Sequence, residues 1–151
     1  MNQIRIKNKD VYTIEVNDKG DMIEFDITDI GLPFALERAC KMVEEAEKYL
    51  RGRLVVAQKQ QNTVKKGEFM TTREKETLVA YREFFRRVRA AIDEFAGAGA
   101  SDKIFGGQNY VNMFNDFMTE MQPHFEAMGV KSMDVKKAIE EKYGTEDTDE
   151  L

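Results

Sequence analysis

The 151-residue chain contains no tryptophan, one cysteine, one histidine and two prolines. With Cys40 alone, no internal disulfide can form and packing has to hold the fold. His124 is the one imidazole, so a histidine-based triad has a single possible base, and no nucleophile stands in a telling spacing to it. A glycine-rich phosphate loop running into Lys-Ser or Lys-Thr is missing, and Gly106-Gly107 follows no strand of the dinucleotide-binding kind. The first thirty residues hold neither a signal-peptide apolar block nor a run long enough to span a bilayer. The expectation is a cytoplasmic protein without a membrane partner, no enzyme, and no cofactor.

What is there is a globular composition: 42% apolar and 34% charged, with ten Phe and nine Met. The length suits one domain, placed at 1–144, with 145–151 as an acidic flexible tail. Net charge is −5, spread unevenly. Residues 1–50 hold 7 basic and 11 acidic groups, residues 51–90 hold 11 and 4, and residues 91–151 hold 5 and 13. A basic centre between acidic ends suits packing between segments or protomers of one protein better than binding of free nucleic acid, which the ends would repel. A homo-oligomer is therefore expected.

Apolar and polar residues alternate over 4–28 with period two: Tyr12, Ile14 and Val16, then Ile23, Phe25 and Ile27 beyond Asn17-Asp18-Lys19-Gly20. This predicts a β-hairpin, with Ile4 and Ile6 adding a short third strand to make a meander. After Gly31 and Pro33 the period lengthens, and 34–143 reads as helical. Leu36, Ala39, Val43, Ala46 and Leu50 mark a helix from Phe34 to Gln61, weakened at Gly52. Thr71 and Glu74 make a capping box for a second helix, whose seam runs Leu78, Tyr81, Phe85, Val88, Ile92, Phe95 until Gly97. A short turn capped by Ser101 precedes a third helix, 108–128, which Pro123 should kink or restart. A last helix is predicted over 133–143. The fold class is α+β and predominantly helical, with a long antiparallel helix hairpin in a bundle of about four helices.

Three constellations invite a functional reading. Asp116, Glu120 and His124 recur at steps of four and could offer metal ligands, but any solvent-facing helix stripe has this spacing and Pro123 disturbs it, so no metal site is assigned. Cys40 beside an apolar seam reads as a small hydrophobe and not a thiolate nucleophile. Arg82, Arg86 and Arg89, with Arg87 beside them, are expected opposite the Leu78-Tyr81-Phe85 seam, as a solvated face or a docking surface for an acidic segment. Finally, Phe114, Phe117, Met118, Met121 and Phe125 form a wide stripe on the third helix. It is either plain core or a groove for a partner helix, since unbranched thioethers adapt to varied sequences.

The order of motifs resembles a known group. The segment from Lys7 through Tyr12 and Val16 to Gly20, then Ile30-Gly31-Leu32-Pro33-Phe34, Ile92-Asp93-Glu94-Phe95-Ala96-Gly97, Lys103-Ile104-Phe105-Gly106, Asn109-Tyr110 and Phe114 through Pro123-His124 resembles the small tail assembly chaperones of long-tailed bacteriophages and prophages of Gram-positive bacteria. The likeness spans about residues 5–143. It implies a non-enzymatic role: binding the long helical tape measure protein in the host cytoplasm, keeping it soluble, helping to recruit tail tube protein, and leaving the finished virion. A longer frameshifted form often accompanies such proteins. The stripe then supplies the groove (Phe114, Phe117, Met118, Met121, Phe125), and Arg82, Arg86 and Arg89 orient an acidic partner. A structural tail or head-completion component, and a small nucleic-acid-binding regulator, stand as alternatives.

Overall fold

A computed structural model of the chain describes residues 2–5 and 10–128. The period-two segment forms two strands, β1 (Val11–Glu15) and β2 (Met22–Asp26), paired antiparallel with Tyr12 opposite Phe25 and Ile14 opposite Ile23. Asn17 closes their connection. Its side-chain carbonyl accepts from the amides of Lys19 at 2.9 Å and Asp21 at 3.2 Å, while Gly20 takes the left-handed conformation at φ +84°. Ile14, Ile23 and Phe25 point inward and are buried. The expected third strand is not formed by residues 2–5, where Ile4 is exposed, and Ile6 lies outside the described residues.

Helix α1 (Leu32–Gln58) starts with Pro33 in its first turn, where the missing amide hydrogen costs nothing, and passes Gly52 unbroken. It stops three residues short of the expected Gln61. Helix α2 (Thr72–Ala96) opens on the predicted capping box, with the Glu74 amide donating to the Thr71 hydroxyl at 3.0 Å and the Thr71 amide to the Glu74 carboxylate at 3.1 Å. The two helices pack as an antiparallel hairpin. Buried Ala39, Ala46 and Ala57 on α1, and Ala80 and Ala91 on α2, keep the contacting faces small and let the axes approach. Arg38–Glu94, Arg53–Glu76 and the Arg87 guanidinium over the Tyr49 ring at 4.1 Å tie the pair along one flank.

Helix α3 (Ala100–Phe105) is a short turn capped by Gly99, so Ser101 sits inside it and not at its start; the Ser101 amide donates to the Asp93 carboxylate at 2.8 Å. Helix α4 (Met113–Ala127) is shorter than the predicted 108–128 and runs through Pro123 without restarting. Proline frees the Thr119 carbonyl, but Thr119 is exposed and water can take that acceptor. The helix predicted over 133–143 and the tail 145–151 lie outside the described residues.

β2, α3 and α4 fold over the C-terminal half of α2, and β2 and α4 meet at the Phe95 ring. It lies 5.1 Å from the Phe25 ring, 6.3 Å from Phe117 and 5.8 Å from Phe125, centroid to centroid. Tilted and edge-on ring pairs at these separations stabilise beyond their buried area. From β1, the Tyr12 hydroxyl reaches the His124 Nδ1 of α4 at 2.9 Å. Removing the shared ring should cost more than any one partner: Phe95→Ala is expected to lower unfolding free energy by about 3–5 kcal/mol. Leu78→Ala on the same seam should stay within about 0.5 kcal/mol, because Leu78 is exposed. Urea denaturation of the two variants checks the contrast.

Candidate partner-binding surface

The stripe predicted to be a groove is core. Phe114, Phe117, Met118, Met121 and Phe125 are each 2–6% exposed and pack in one cluster with Phe25, Phe95 and Val88. The reason is that β-hairpin, α2 and α4 all need a common filling, and α4 is the most apolar element available to supply it. Five such side chains cannot offer a surface groove while they hold the chain's own elements together.

Surplus apolar surface exists elsewhere, on the seam of α2. Val88, Ile92 and Phe95 are buried, but Leu78 on the same three-four alternation is 55% exposed, and Tyr81 and Phe85 are half-buried. Length explains the change. α2 has 25 residues and α4 has 15, so at about 1.5 Å per residue the cover, roughly 22 Å, falls short of a seam of roughly 37 Å. Tyr81 and Phe85 stack at 6.0 Å, and Val79 is exposed beside them. Where α4 begins, a cavity of about 190 Å³ opens between Leu50, Phe84, Val88 and the exposed Val111, at the edge of the cover. The seam was legible in the sequence; its incomplete burial was not.

The three arginines do not act as one group. Arg89 is a structural clamp with only 16% of its side chain exposed. It donates to the Asp102 carboxylate at 2.9 Å, the Asn109 side chain at 2.7 Å and the carbonyls of Gly106 and Gln108 at 2.8 and 2.7 Å. That grip holds Gln108 and Asn109, the start of the expected helix, outside α4 and withdraws Arg89 from partner binding. Arg86 forks onto Glu83 with bonds of 2.6, 2.7 and 3.1 Å, and Arg87 adds another at 3.3 Å. Arg82 is exposed and makes no ion pair among the described residues. Four residues after Leu78, it lies beside the seam and not opposite it.

A second concave feature, a cavity of about 420 Å³, lies between the β-hairpin, α3 and α4. Asp116, Glu120 and His124 share its α4 wall, as their spacing predicts. Asp116 is bonded to Tyr110, whose phenol is pushed up by partial burial and by that carboxylate, and His124 is bonded to Tyr12. Among the described residues no three His, Cys, Asp or Glu side chains converge to hold a metal. Cys40 is a buried thiol within the core cluster.

No family model, curated protein or solved structure matches this chain. Among the described residues no helix is long and apolar enough to cross a membrane.

Two outcomes are expected. Arg89→Ala should release residues 106–109, cost about 1 kcal/mol through the lost hydrogen bonds, whose exposed acceptors water then takes, and speed amide exchange around Gln108. The Arg86 guanidinium bonded to Glu83 holds that carboxyl at about 2, below its ordinary 4.5. A depressed carboxyl stabilises the fold above its unfolded pKa and loses that contribution as pH falls toward 2. NMR titration should find Glu83 ionised at pH 3, and Arg86→Ala should return it toward the ordinary value.

Proposed function

We propose that the protein is a tail assembly chaperone of a long-tailed bacteriophage or prophage. It binds apolar helical segments of the tape measure protein in the host cytoplasm and assists assembly of the tail tube around it. The reading is supported by the resemblance of residues 5–143 to that group and by one physical observation that carries it, the uncovered end of the α2 seam at Leu78, Tyr81 and Phe85. A long helical client exposes apolar stripes that aggregate unless covered, and an exposed apolar seam with three-four spacing is the shape that receives such a stripe. A site this small releases its client readily, as assembly requires.

The test is co-expression with a tape measure fragment. The native chain should co-purify with the fragment and keep it soluble, and Leu78→Glu should lose it while retaining the native circular dichroism. Met118→Glu should instead unfold, because Met118 is core. Mass spectrometry of purified virions should find the protein absent; its presence would favour a structural tail component.

A further inference from the structure

The basic centre of the chain and the uncovered seam occupy the same stretch. Residues 51–90 carry 11 basic and 4 acidic groups, and all four acids are already engaged. Glu68 pairs with Lys75, Glu76 with Arg53, Glu83 with Arg86 and Arg87, and Glu74 completes the capping box. Lys59, Lys65, Lys66, Arg73 and Arg82 make no ion pair among the described residues. The positive charge is therefore not consumed by the fold. Arg82, one helical turn after Leu78, sets an exposed cation beside the apolar line that the fold does not cover.

We propose that this uncovered line is a docking site for an acid-flanked amphipathic helix of another protein, seated along Leu78, Tyr81 and Phe85 with its carboxylates toward Arg82. This deepens the chaperone reading and rests on it, because it names the chemistry of the client segment. The three-four spacing of the receptor line selects a helix, since only a helical stripe meets it residue for residue. Charge selects among helices: an apolar line accepts any greasy stripe, whereas an uncompensated cation beside it rejects basic flanks and favours acidic ones.

Two synthetic helical peptides with one leucine seam, flanked either by Glu or by Lys, are titrated into the full chain by fluorescence anisotropy. The Glu-flanked peptide should bind at least about tenfold tighter in low salt, with the gap closing as salt screens the rim. Leu78→Glu should abolish binding of both peptides, and Arg82→Glu should erase or invert the preference. Equal affinities, no binding, or unchanged binding by a folded Leu78→Glu variant would overturn the proposal. A chain that is dimeric by light scattering and becomes monomeric on Leu78→Glu would also overturn it, since a second copy would then occupy the seam. Failure of the chaperone reading looks different: the acidic peptide binds with these properties while no tape measure fragment co-purifies. Conversely, co-purification that survives Leu78→Glu leaves the function standing and removes this site.

Discussion

The Phe95 ring is the joint on which the architecture turns. It stands on α2, and the Phe25 ring of β2 and the Phe117 and Phe125 rings of α4 close on it from the other side. A two-stranded sheet is marginal in water by itself, and a 15-residue helix with an internal proline is no better placed. Each becomes stable here by burying its apolar face against the same half of α2. Because the cover is gathered at that joint, its reach along α2 is limited, and the seam emerges from it before Phe85.

The seam of α2 is divided into two parts. The C-terminal part is core. The N-terminal part keeps the spacing of a helix-packing surface but has no covering element among the described residues. Its surroundings differ from those of the stripe on α4, where aromatic rings and thioethers are buried in one cluster with side chains of the β-hairpin and α2. An apolar side chain that is fully packed stabilises a fold, and one left half-bare is available to another molecule. Arg89 and Arg82 show the same division for charge: the first is spent on the 106–109 loop, and the second faces solvent next to Leu78.

Much of this was legible in the sequence. The hairpin follows from Tyr12, Ile14, Ile23 and Phe25 alternating around Asn17 and Gly20, and the second helix from its capping box and unbroken seam. Periodicity says which side chains share a face, and it is silent on what covers that face. Hence the Phe114–Phe125 stripe, with more apolar surface than one neighbour could hide, suggested a groove, whereas it meets the β-hairpin and α2 together. The signal that could have redirected the reading was length, since α4 is too short to cover all of α2. Arg89 was misplaced for a related reason: nothing in a helical wheel reveals that a distant loop will offer its carbonyls.

The apolar surplus lies at Leu78 and not at Met118 and Met121. Methyl NMR in the presence of a soluble paramagnetic agent measures this directly. Strong broadening of the Leu78 methyl signals is expected, with Met118 and Met121 protected. Protection of Leu78, or equal broadening of all three, would contradict it.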